Sequence, residues 1–133
     1  MITAVDTSVL IAIYRGERDG ARWAERLADC RAEGVLCVGE IVAAEFFATV
    51  MDEKEYTQIL QELGLEMRPS NLAAVQLAGR TFRRYRDQGG PRTHLIPDFL
   101  IAAHAQEQAD RLAALDRGYL RRYFSDLKLV SLP

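Results

Sequence analysis

Residues Ile2 to Val5 are apolar or β-branched, and they run directly into Asp6, Thr7 and Ser8 before a new apolar run begins at Val9. This stretch constrains the chain more than any other. It predicts a short buried strand, an acid at the carboxyl end of that strand, and a helix that opens on a hydroxyl cap. In open α/β sheets the chemistry sits outside the carboxyl ends of the strands. Asp6 is expected there.

The rest of the chain repeats the alternation. Val9 to Tyr14 continues as a short helix, broken at Arg15-Gly16-Glu17. Between Asp19 and Ala32, Trp23, Leu27 and their neighbours recur at spacings of three and four, which predicts an amphipathic helix ended by Gly34. Val35–Val38 predicts a second buried strand. The segment from Glu40 to Met51 is apolar nearly all round, so its helix is expected deep in the fold, with Glu45 in the middle. A charged helix over Asp52–Glu62 leads to a third strand at Leu65–Arg68, ended by Pro69. Ser70 or Asn71 then caps a long helix that reaches about Arg86.

Gly89-Gly90-Pro91 is the clearest loop signal. Pro97 and Asp98 open another apolar helix, Leu112–Leu115 predicts a fourth strand running into Asp116, and Lys128–Val130 predicts the last strand. Strands alternating with helices argue for a parallel sheet covered on both faces. At 133 residues the chain is expected to form one domain, residues 1–133.

Composition bounds the function. The net charge of −2 supplies no global field for nucleic acid, so any such binding needs a local basic patch. No apolar run approaches the roughly 20 residues of a membrane span, and no basic segment precedes an apolar stretch as in a signal peptide. Cys30 and Cys37 stand apart, without metal-type spacing, and read as cytoplasmic thiols.

Four acids stand out. Asp6 and Asp116 end strands, Asp98 opens an apolar helix, and Glu45 interrupts another. Singly, each has an ordinary explanation; a carboxylate in a first helical turn such as Asp98 is a cap worth roughly 1 kcal/mol. Gathered on one sheet, carboxylates about 4 Å apart repel by roughly 4 kcal/mol at an effective dielectric near 20. Such a cluster needs a cation, and all-oxygen ligands select Mg²⁺ or Mn²⁺ over zinc. That chemistry suits phosphoryl transfer. A different metal-dependent phosphoesterase, a DNA nuclease and a non-catalytic binding module fit the same acids.

Val5-Asp6-Thr7-Ser8-Val9-Leu10, Val42-Ala43-Ala44-Glu45-Phe46, Pro97-Asp98-Phe99-Leu100-Ile101-Ala102-Ala103-His104-Ala105 and Asp116-Arg117-Gly118-Tyr119 resemble the PIN-domain ribonucleases. More closely they resemble the VapC toxins of bacterial type II toxin–antitoxin systems. The resemblance covers essentially the whole chain in the right order. It implies a three-layer α/β/α fold, Mg²⁺- or Mn²⁺-dependent cleavage of RNA, and inhibition by a cognate VapB-like antitoxin. Residue by residue, it implies that Asp6, Asp98 and Asp116 are metal ligands and that Glu45 belongs to the acidic cluster. It further implies that Ser8 orients the first acid or a metal water. The family often carries a hydroxyl two residues before the last aspartate, where this chain has Ala114.

RNA is expected on local charge. Arg117, Arg121 and Arg122, with Tyr119, Tyr123 and Phe124, combine cations for phosphates with rings for bases. Arg83, Arg84, Arg86 and Arg92 form a second group beside the glycine loop. Either group is equally read as a solvated basic face or as a receptor for an acidic antitoxin stretch. His94 is placed to approach a substrate, whereas His104, six residues beyond Asp98, is rotated off that face and reads as packing. Apolar residues around Trp23 and Leu27, and around Phe46, Phe47 and Tyr56, read as core, a homodimer face or an antitoxin groove.

Overall fold

The computed structural model describes residues 1–115 and 118–133. Asp116 and Arg117, both singled out above, lie outside the described residues. The elements run β1 (Ile2–Val5), α1 (Thr7–Arg15), α2 (Gly20–Glu33), β2 (Val35–Val38), α3 (Glu40–Val50), α4 (Glu53–Leu63), β3 (Leu65–Met67), α5 (Leu72–Asp87), α6 (Ile96–Gln108), β4 (Arg111–Ala113), α7 (Gly118–Tyr123) and β5 (Leu129–Val130). The strands form one sheet in the order β3-β2-β1-β4-β5. Every pairing is parallel, with Ala4 opposite both Cys37 and Leu112.

Alternation along the strands divides the core into two layers. Val5, Leu36, Val38, Ala113 and Val130 face a cluster built with α1 to α4, around Leu10, Leu27 and Phe46. Ala4, Cys37, Leu112 and Ala114 face a second cluster built with α5, α6 and α7, around Phe99, Ala102 and Leu120. The result is the three-layer α/β/α arrangement. The small residues Ala102, Ala103 and Ala105 let α6 lie close on the sheet.

Several local expectations are corrected. The first helix starts at Thr7, and its cap is Asp6, whose side chain accepts the Ser8 amide; a hydroxyl does not cap it. An aspartate caps as well as a serine and better than a threonine, and its charge suits the helix dipole. The fourth strand is Arg111–Ala113, shorter by two residues at its carboxyl end than expected. Asn71 caps α5 through the Ala74 amide, and Ser70 instead donates its hydroxyl to Glu40 (2.6 Å).

The α3 helix is not buried all round: Ala44, Glu45 and Ala48 are exposed. Alanine suits either environment, so its hydropathy does not mark the solvent face. Trp23, Leu27 and Phe46 belong to the core and offer no interaction surface. Tyr56 donates its hydroxyl to the Ala43 carbonyl (2.9 Å) and packs edge-on to Phe47. No described helix is long and apolar enough to cross a membrane.

Candidate active site

The strand order reverses direction on either side of β1, so the ends of β1 and β4 form a switch point where open α/β sheets place their sites. Asp6 is fixed there from both sides. Its amide donates to the Ala113 carbonyl (2.9 Å), continuing the β1–β4 ladder one step beyond the strand. Its carboxylate caps α1 through the Ser8 amide and also accepts the Ser8 hydroxyl. The same hydroxyl accepts the Leu115 amide (3.2 Å), so Ser8 ties Asp6 to the residue that precedes Asp116.

The site is polar but only partly wet. Asp6 is half-buried, and burial is the main influence on its carboxyl. Hydrogen bonds from Ser8 and Thr7 pull its pKa down, the charge of Asp98 pushes it up, and the balance stands above the ordinary aspartate value. Asp98 lies in the first turn of α6, where its Oδ2 accepts the Leu95 amide (3.0 Å), and His94 Nδ1 stands 3.7 Å from the same oxygen. Asp98 is therefore both the helix cap that its position suggested and the acid facing Asp6.

Glu45 projects from the exposed face of α3 and accepts the Thr7 hydroxyl (2.7 Å). Thr7 is the residue that sequence reasoning missed. Two hydroxyls directly after a strand-end acid are the available signal: one turns to Asp6 and the other to Glu45. Asp6, Ser8, Asp98 and Glu45 are thus linked through α1 and the charge of Asp98. Among the described residues no group of three or more His, Cys, Asp or Glu side chains is arranged to hold a metal ion. Nor does any described lysine, arginine or histidine form an ion pair with Asp6. The donor set of Asp6 and Asp98, two carboxylates that repel one another, fits a hard divalent cation.

The aromatic and basic residues divide. Tyr123 and Phe124 are buried in the core, so they are not rings for bases, contrary to expectation. Tyr119 is half-buried and stacks on His94, with ring centroids 4.0 Å apart and planes inclined by 26°. Arg121 and Arg122 are exposed on α7, and Arg92 is exposed in the loop before α6. Arg83 pairs with Asp87, Arg84 donates to the Tyr123 carbonyl, and Arg86 holds the Gly90 carbonyl. His104 is buried and its Nε2 meets the Arg68 carbonyl (2.6 Å), away from the acids, as a packing residue.

This arrangement has a counterpart in sequence: the family model of the PIN domain matches residues 3–125. The chain belongs to the PIN domain family. No curated protein matches its sequence. Among solved structures, this PIN domain shares its fold with VapBC2 from Rickettsia felis, solved bound to a DNA fragment from its promoter. That likeness has a TM-score of 0.75 at 20% identity and covers 98% of each chain. VapBC-1 from nontypeable Haemophilus influenzae is similar to the same degree, at TM-score 0.75 and 20% identity over 99% of this PIN domain and 98% of that chain. FitAcB from Neisseria gonorrhoeae follows at TM-score 0.65 and 18% identity, over 98% and 97%.

Proposed function

We propose that this PIN domain is a metal-dependent endoribonuclease toxin, restrained in the cytoplasm by a cognate VapB-like antitoxin. The observation that carries the reading is the pairing of Asp6 with Asp98 at the switch point of a parallel sheet. Among the described residues Asp6 has no ion-pair partner, and Asp98 has only the His94 ring, 3.7 Å from its carboxylate. Asp6 and Asp98, with Asp116 as the third acid, would hold Mg²⁺ or Mn²⁺. When bound, such a cation would neutralise charge on the scissile phosphate and acidify a water.

The chain's own residues orient this site. Ser8 holds the Asp6 carboxylate in one rotamer, and the Leu95 amide does the same for Asp98. Thr7 sets Glu45 at the site's edge, where it would accept a proton from the attacking water. Arg92, Arg117, Arg121 and Arg122 would contact the RNA backbone.

Leu95 and Ile96 lie just before Asp98, the Leu115 amide is bonded to Ser8, and all three are exposed large apolar side chains. An antitoxin segment covering the acids would bury them. Homodimerisation would use another exposed set, Met67, Leu72 and Val75 on β3 and the start of α5.

The test is incubation of the purified chain with RNA and with DNA separately, in Mg²⁺ or Mn²⁺, beside Asp6→Asn. Cleavage of RNA by the wild type alone is expected. Cleavage of DNA only, or cleavage that survives Asp6→Asn, would overturn the reading.

A further inference from the structure

A groove beside Asp98 is walled by three segments distant in sequence. The end of α5 supplies Gln88, the loop before α6 supplies Thr93 and His94, and α7 supplies Tyr119 and Arg122. Its volume is about 400 Å³, inside the roughly 300–1,000 Å³ typical of small-ligand sites.

The groove is built rather than incidental. Gly90 lies flat on the Tyr85 ring, where a Cβ would come within 2.6 Å. The Tyr85 hydroxyl donates to the Pro91 carbonyl (2.6 Å), and Arg86 donates to the Gly90 carbonyl (2.8 Å). These contacts hold the loop that carries Thr93 and His94. Across the groove, Arg122 lies over the Tyr123 ring at 5.3 Å, and Arg84 lies over the same ring at 5.4 Å. Among the described residues neither arginine pairs with a carboxylate.

Its chemistry is that of a flat, polar-edged ligand attached to an anion. The His94 and Tyr119 rings lie nearly parallel and line the wall nearest the acids. The Tyr119 hydroxyl reaches the Asp98 carbonyl at 3.5 Å, and His94 Nδ1 lies 3.7 Å from the Asp98 carboxylate. Gln88 and Thr93 add hydrogen-bonding groups, and Arg122 adds positive charge. Base–aromatic stacking uses such surfaces and tolerates any base.

We propose that this groove is a nucleobase subsite: one unpaired base next to the scissile phosphate stacks on the His94–Tyr119 pair, with Arg122 at its phosphate. The proposal rests on the ribonuclease reading and adds to it a requirement for single-stranded RNA. An acidic antitoxin peptide would also meet Arg122, but it has no use for the paired rings.

The test couples protein and RNA changes. A short single-stranded oligoribonucleotide of mixed sequence is titrated in chelator, where it stays intact, and then replaced by a set in which one base at a time is removed. For the wild type, abasic substitution at one position is expected to weaken binding about tenfold. Tyr119→Leu is expected to weaken binding of the intact RNA by a similar factor and to be insensitive to that abasic position. Tyr119→Phe keeps the ring and should bind as the wild type does. His94→Ala, in an exposed loop, gives a second variant should Tyr119→Leu melt early.

Independent, multiplying losses would overturn the subsite, as would equal sensitivity at every position or equal binding of duplex RNA. So would Tyr119→Leu and His94→Ala binding RNA normally while losing affinity for an acidic peptide, which would assign the groove to a protein partner. RNA binding and cleavage without the coupling would sink the subsite alone. No RNA binding or cleavage by the wild type would sink the ribonuclease reading with it.

Discussion

Thr7 donates its hydroxyl to Glu45 at 2.7 Å, across 38 positions of sequence. The bond joins the first turn of α1 to the solvent face of α3. It gives an exposed glutamate a fixed direction beside Asp6. Because the pair is exposed, its loss should cost no more than about 0.5–1.5 kcal/mol of stability. Its loss should affect function more. Thr7→Val is expected to lower RNA cleavage about 10- to 100-fold, the range for residues that orient a site from outside, with little change in melting temperature. Glu45→Gln retains an acceptor for Thr7 and removes the charge. It should melt as the wild type does yet lose cleavage, and normal turnover would take Glu45 out of the mechanism.

Asp6→Asn separates stability from activity. Asparagine is as good a helix cap as aspartate, and the change removes the repulsion from Asp98 at a half-buried position. In chelator the variant should therefore melt at or above the wild-type temperature. Adding Mn²⁺ should raise the wild type, by about 2.7 kcal/mol at a concentration one hundred times the dissociation constant, and leave the variant unmoved. An equal gain in both would show that Asp6 is not a ligand.

Ser8 has two partners, so its removal should be felt twice. Ser8→Ala strips a donor from Asp6 and an acceptor from the Leu115 amide. Destabilisation of about 1–3 kcal/mol is expected from leaving part-buried polar groups unmade. The variant should also need about 10- to 100-fold more Mn²⁺ for half-maximal cleavage. Denaturant titration and metal titration of the same preparation measure the two effects, and Ser8→Thr, which keeps the hydroxyl, should recover most of both.

Glu40 supplies a pH prediction away from the acids. Burial alone would raise its carboxyl, but hydrogen bonds from the Ser70 hydroxyl and amide and its own backbone, with the charge of His104, outweigh this and hold it below the usual value. A depressed folded pKa means the folded state binds fewer protons. Its contribution is therefore complete above the unfolded value, near 4.3, and is lost as pH falls through the folded one. Glu40→Gln should be less stable than the wild type at pH 7, and the gap should close as the pH is lowered below about 4. A gap that stays constant with pH would remove the charge from the argument.

Much of this architecture is legible from side-chain period alone. The strands β1 and β2 read correctly because buried parallel strands are short apolar runs, and Asp6 stands where expected, directly after β1. Contacts between segments do not read at all. Nothing near Thr7 in sequence points to Glu45, and nothing near His94 points to Tyr119, since the fold alone brings each pair together. The exposure of Glu45 was hidden by Ala44 and Ala48, which carry an apolar label on either side of a helix. Tyr123 and Phe124 misled in the opposite direction. Set among arginines they look like a binding surface, yet they complete the core beneath α7.

The central position of β1 has a consequence in time. Its neighbour β2 lies close in the chain, so the β1–β2–β3 half of the sheet can form from local contacts. The other half closes over a far longer loop: the bond from Leu115 to Ser8 spans 107 positions. Contacts of high sequence separation form slowly, because the entropy of closing the loop must be met first. Asp6 thus acquires its full surroundings only once the segment that follows β4 has docked beside it. A chain cut short of β4 would carry the acid without the Leu115–Ser8 bond that steadies it.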